Sequence, residues 1–205
     1  GSILAPWDIR RPAVLRLDQN GAWFGHANGE RRVGGRIAVA GLVRIAASDV
    51  CCVSVHLESH SNPEERAGQM TTLIDAIDQC YGECPTIIGG DFNTSTIDAR
   101  TEKRRASKAR LARADRDRLA DPIRFEPLFG VASRAGYDWT ASNAPGTTTR
   151  KGPHEPPDKP MEKIDWFFTR GLCASDPRII PAVDQNGLAI SDHELLAVTV
   201  KPAQA

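Results

Sequence analysis

Apolar residues in this chain cluster in short runs separated by glycine, proline, asparagine and aspartate, a pattern that predicts strands joined by turns more often than long helices. Residues 13–17 alternate apolar and polar and stop at Asp18-Gln19-Asn20-Gly21, which reads as a strand and a hairpin turn. Residues 37–40 and 42–45 lead through Ala47-Ser48-Asp49 into 50–57, predicting two antiparallel strands, the second carrying polar groups at its far end. The most informative run is Thr86-Ile87-Ile88, too short for a helix and suited to a strand covered on both faces. It empties into Gly89 and Gly90, where the backbone can take angles or approaches that a Cβ forbids, and then into Asp91-Phe92-Asn93. Asp91 and Asn93 are thereby delivered to a strand end.

Helical periodicity is confined to fewer places. Asn62 can cap a helix with Pro63 in its first turn, Glu64 and Glu65 at the positive end of the dipole, and Met70, Leu73, Ile74 and Ile77 as its apolar stripe, ending near Cys80-Tyr81-Gly82. From 96 to 121 the chain is densely charged and reads as an exposed helix, a solvated face in preference to a nucleic-acid cradle because no aromatic residues interleave. Residues 125–135 predict a second, amphipathic helix, with Pro127 tolerated in its first turn. The proline-rich 151–160 stretch predicts a surface loop. Strands follow at 163–168, with Asp165 in the middle, at 178–180 and at 195–200, the last preceded by Ile190-Ser191-Asp192-His193-Glu194. A strand, a helix and a further strand make an α/β unit whose crossover helix packs on the sheet.

Composition narrows the class. At 205 residues, 40% hydrophobic and 25% charged, the sequence fits a single domain over 1–205 with its own core. Lys plus Arg equals Asp plus Glu at 26 each, so phosphate affinity must be local and not a property of net charge. The five cysteines do not form a plausible disulfide framework and imply a reducing, cytoplasmic compartment; a zinc site at Cys80 and Cys84 ranks below free buried thiols. No stretch is long and apolar enough to predict a membrane span.

Taken singly, Asp, Asn and Ser after a strand are ordinary turn residues, and a lone His at a strand end is usually structural. Their order changes the picture: His56-Leu57-Glu58-Ser59, Gly90-Asp91-Phe92-Asn93, Ile164-Asp165-Trp166 and Ser191-Asp192-His193. Together these resemble the endonuclease/exonuclease/phosphatase superfamily, over most of the chain. The resemblance implies a DNase I-like α/β (α+β) fold, a four-layer sandwich of two packed, mainly antiparallel sheets flanked by helices. It implies a divalent-metal-dependent phosphoesterase acting on phosphodiester or phosphomonoester bonds, DNA among them. Asp91 would activate the attacking water, Asn93 stabilise the phosphoryl oxygens and His56 assist the leaving group. Asp165 would fix His193, and Asp192 with Asp91 would hold Mg²⁺ or Mn²⁺. In-line attack needs such groups, because negative charge grows on the phosphoryl and leaving oxygens.

Arg150 and Lys163 are weaker phosphate-contact candidates. Glu58 and His60 are expected to face loops, Arg66 to pair on its helix, and Trp139 and Trp166 to pack. The family's opening Asn and Gln-Glu motifs are absent here, so the resemblance implies a chain lacking N-terminal strands, with weak metal affinity and an uncovered sheet open to self-association. The rival reading is a non-catalytic member of the same fold, acting as a binding module or needing a partner segment.

Overall fold

The computed structural model describes residues 1–17, 26–27, 30–31, 36–45, 47–59, 61–94, 116–151 and 161–203. Its main sheet has five strands, ordered β1 (Ile9–Arg16), β4 (Ile37–Ile45), β5 (Ser48–His56), β6 (Thr86–Asp91) and β7 (Asp165–Arg170). Only β5 and β6 run parallel, and between them lies α1 (Pro63–Tyr81), the connection a parallel pair requires. A second sheet pairs β8 (Leu172–Ile180) with β9 (Leu195–Pro202), and a short ladder pairs β2 (His26–Ala27) with β3 (Glu30–Arg31). Two further helices are α2 (Arg116–Ala120) and α3 (Pro127–Arg134), with a 3-10 turn at Pro122–Phe125 between them. This is the mixed α/β arrangement of mostly antiparallel sheets that the family resemblance implies.

Alternation along β5 places Cys51, Val53 and Val55 in the core under α1, while Cys52, Ser54 and His56 face outward. The stripe Met70, Leu73, Ile74 and Ile77 of α1 and the face Leu128, Phe129 and Ala132 of α3 close over Ile88, Phe92, Trp166 and Phe168. At the start of α1, Glu65 accepts a hydrogen bond from the Asn62 backbone N–H at 2.8 Å, so the predicted cap is made. The residues at 18–21, His60, most of the charged 96–121 stretch and 152–160 lie outside the described residues.

Four expectations are corrected. The strand expected at 163–168 runs Asp165–Arg170, so Asp165 stands at its first position and not in its middle. The first strand begins at Ile9, not at 13, and runs across Pro12; it sits at the sheet edge, with a register shift between Arg10 and Ala13 that accommodates the missing N–H. The strand expected at 178–180 begins at Leu172 and contains its own irregularity between Ser175 and Arg178, which masks its alternation. Glu58 does not face a loop: it is 1% exposed and pairs with Arg36 at 3.3 Å.

Arg66 takes a structural ion pair, but with another helix and not within its own, and deep in the protein. Its guanidinium grips Glu126 at the start of α3 in two hydrogen bonds of 2.6 and 3.1 Å and also donates to the Ser61 carbonyl, with both ion-pair side chains fully buried. Removing one partner strands the other charge, so Arg66→Met or Glu126→Ala should each cost about 3–5 kcal/mol, read from the urea midpoint. The double substitution should recover part of that loss. All five cysteines are free, and burial pushes the Cys51 thiol up to about 12, far from reactive thiolate.

Candidate active site

Register across β5, β6 and β7 aligns three polar residues in one row: His56 opposite Asp91, and Asp91 opposite Asp165. All three close their pairings at the same end of the sheet. The two glycines before Asp91 make the row compact. A Cβ on Gly90, which has φ of 150°, would lie 1.9 Å from the Val55 carbonyl oxygen, and one on Gly89 would meet the Phe167 ring. Only glycine lets β6 approach its neighbours this closely just before the site.

Beyond the row, Asn93 turns the chain with φ of 48°, a left-handed conformation that asparagine tolerates better than most residues. Its backbone N–H donates to Asp91 Oδ1 at 2.8 Å, and its side-chain amide donates to the Leu57 carbonyl at 3.0 Å. Asn93 thus ties the end of β6 to the end of β5 and fixes one oxygen of Asp91. The other, Oδ2, lies 3.3 Å from His56 Nε2.

His193 arrives from the connection between β8 and β9, and its Nδ1 lies 2.8 Å from Asp165 Oδ2. What holds it there is a strip that sequence reading missed. Thr148 is fully buried; its hydroxyl accepts the backbone N–H groups of Ile164 and Asp165 at 3.0 Å each, and its carbonyl accepts from Glu194. Arg150 N–H donates to the Asp192 carbonyl, and Thr149 bridges His193. The strip 148–150 therefore aligns Asp165 and His193 together. Nothing local marks Thr148 among the adjacent threonines Thr147, Thr148 and Thr149, so no sequence signal singles it out.

The charges divide sharply. Burial first, and then the neighbouring Asp165 charge, push the Asp91 carboxyl up to about 6. Burial, Arg36 and His193 pull the His56 imidazole down to about 4. The hydrogen bond to Asp165 lifts His193 to about 9 against the opposing effect of burial. At neutral pH the site holds an ionised Asp91, a neutral His56 and a cationic His193 on Asp165, a set in which acid and base roles are already separated.

The remaining candidates stand apart. Asp192 is exposed beside His193. Arg150 pairs with Glu194 at 2.8 Å, and Lys163 is buried, lying 4.6 Å over the Trp166 ring and donating to the Ala144 carbonyl. Trp166 and Trp139 both pack on Phe129, the packing role expected of them. Among the described residues, no group of three or more His, Cys, Asp or Glu side chains could hold a metal ion.

This fold is that of the endonuclease/exonuclease/phosphatase proteins. An endonuclease/exonuclease/phosphatase from Bacteroides vulgatus superposes with a TM-score of 0.62 at 19% identity, covering 96% of this chain and 66% of that one. The human Nocturnin catalytic domain, solved with a bound sulfate anion, gives a TM-score of 0.55 at 15% identity over 94% of this chain and 60% of that one. A mannosyl-6-phosphatase from Bacteroides thetaiotaomicron gives 0.54 at 14% identity, over 95% and 67%. The chain thus spans about two thirds or less of the length of these structures, and at such identities the likeness shows the fold alone. No family model and no curated protein sequence matches the chain.

Among the described residues, no helix is long and apolar enough to cross a membrane.

Proposed function

We propose that this protein hydrolyses phosphate esters by in-line attack of water, with Asp91 as the base. The observation that carries the reading is the aligned row His56, Asp91 and Asp165 with His193 seated on Asp165. Ionised Asp91, held by the Asn93 N–H, accepts a proton from the attacking water. Cationic His193, kept in one orientation by Asp165, offsets negative charge on the phosphoryl oxygens, and the Asn93 amide is the neutral donor assigned to the same oxygens. Neutral His56 takes up the proton that Asp91, 3.3 Å from its Nε2, has accepted, and as the imidazolium so formed gives one to the leaving oxygen. The proton taken from water thus reaches the leaving group through one side-chain pair.

Mg²⁺ or Mn²⁺ is the cofactor proposed, with Asp91 and Asp192 as its carboxylates. Two carboxylates do not complete the six or more oxygens a hard cation takes, so the described residues do not by themselves fit the ion, and no step above runs through it. Weak binding follows. Titration with Mg²⁺ should give a dissociation constant in the millimolar range, and at an ion concentration equal to that constant the protein should gain only about 0.4 kcal/mol of stability. Tight, micromolar binding in calorimetry would show that ligands outside the described residues complete the site.

The reading is tested on a panel: bis(p-nitrophenyl) phosphate, p-nitrophenyl phosphate and plasmid DNA, each with and without Mg²⁺. Turnover of at least one supports it and sorts diester from monoester and nucleic-acid substrates. Loss of plasmid nicking as salt is raised, with small-ester turnover unchanged, would mark DNA as bound through phosphate contacts. A second reading, a binding protein on the same fold without turnover, draws on the absence of a three-ligand cluster among the described residues. It predicts no turnover with any of the three.

A further inference from the structure

On the helix side of the sheet, beside the start of β7, lies a cleft of about 410 Å³ between the 120–123 turn and the loop at 139–146. That is within the roughly 300–1,000 Å³ typical of small-molecule sites. Ile123, Pro145 and the Trp139 ring give it apolar walls, and Lys163 and Asp121 supply its charge. Lys163 is only 5% exposed. Among the described residues, the Ala144 carbonyl is the one hydrogen-bond acceptor its ammonium meets, while one of its sides lies over Trp166. An ammonium has three donors, and burying it with one acceptor and a ring face is costly unless something else accepts from it. Asp121, exposed at the rim, acts electrostatically on Lys163 across the same space.

We propose that this cleft binds a nucleobase. The cleft asks for a flat ring with apolar faces and, along one edge, an acceptor for Lys163 beside a donor for Asp121. Nucleobases carry a carbonyl or ring nitrogen next to an N–H on such an edge, and lysine pairs with base acceptors in this way. A purely aliphatic anion would satisfy Lys163 but repel Asp121, and a bare hydrocarbon ring would leave both unpaired.

The cleft adjoins the catalytic row through two bonds. Trp166 Nε1 donates to Thr94 Oγ1 at 3.0 Å, and Thr94 donates to the Lys163 carbonyl at 2.6 Å. Thr94 follows Asn93, and Lys163 stands two residues before Asp165. A nucleotide wrapped over this strand end would place its base in the cleft and its phosphate at Asp91. That placement rests on the phosphoesterase reading, but binding of the base does not.

The test is equilibrium titration of the protein with guanosine, which carries no phosphate, using tryptophan fluorescence and calorimetry, with ribose as the control. Saturable guanosine binding is expected, with ribose silent. Lys163→Met should weaken it at least tenfold, and Asp121→Asn, an exposed substitution that leaves the core intact, several-fold. Asp91→Asn should bind guanosine as the unsubstituted protein does, whether or not it hydrolyses esters. Absent guanosine binding, or binding unchanged in Asp121→Asn and in folded Lys163→Met, overturns the proposal and leaves the catalytic reading standing.

Discussion

Asp91→Asn should abolish most ester hydrolysis while making the protein more stable at neutral pH. The first half follows from the base role: removing a general base typically lowers the rate by about 10²–10⁴-fold. The second follows from the sign of the carboxyl's shift. Its folded value of about 6 lies above the ordinary carboxylate range, so ionising Asp91 costs folding free energy. The cost is absent below pH 4, grows between 4 and 6, and is complete above 6. The gap corresponds to about 3 kcal/mol, of which residual solvent access leaves about 1–2. Asparagine keeps the oxygen that accepts the Asn93 N–H, loses the charge, and exchanges the oxygen beside His56 Nε2 for an NH2 group that the other imidazole tautomer can accept from. Urea midpoints at pH 7.5 should therefore rise by that amount, and at pH 3.5 the two proteins should coincide. A destabilised Asp91→Asn at pH 7.5 would contradict the electrostatic account of the row.

The second large effect concerns His193. If its cationic form stabilises the phosphoryl oxygens, kcat/KM should rise with a limb near pH 6 as Asp91 ionises and fall with a limb near pH 9 as His193 loses its proton. Asp165→Asn removes the partner whose hydrogen bond is the largest cause of that elevation. The alkaline limb should then drop toward the ordinary histidine value of about 6.5, collapsing the plateau and cutting activity at pH 8 by about tenfold or more. Stability tracks the same group. A raised histidine contributes fully below about 6.5 and loses its contribution as pH climbs through about 9, so the unsubstituted protein should weaken over that window and Asp165→Asn should not. Proton NMR titration of the His193 ring reads the shift without any substrate.

How much of this was legible beforehand depends on range. The β6 strand end was readable because the β-branched run, the glycine pair and Asp91 lie within a few residues, and the fold uses them as neighbours. His56 and His193 were readable only through the order of short motifs, and the structure supplies the reason for that order: adjacent strands align 56, 91 and 165 in register. Where a local rule was broken, the reading slipped. Pro12 stands inside β1, where an irregularity at the sheet edge accepts it, and the Asp176-Pro177 irregularity hides the first half of β8. Long-range contacts were out of reach. Glu58 meets Arg36, which lies just before β4 and 22 residues away in sequence, and Thr148 matters because 148–150 pair with 192–194. No periodicity in the sequence encodes either partner.

The central claim is that Asp91 activates water against a phosphate ester. It is tested most directly by turnover of bis(p-nitrophenyl) phosphate at pH 7.5 in the unsubstituted protein and in Asp91→Asn, prepared side by side and both shown to be folded. Hydrolysis that falls by at least a hundredfold in Asp91→Asn is the predicted result. Equal rates in the two proteins, or hydrolysis in neither folded protein, would contradict it.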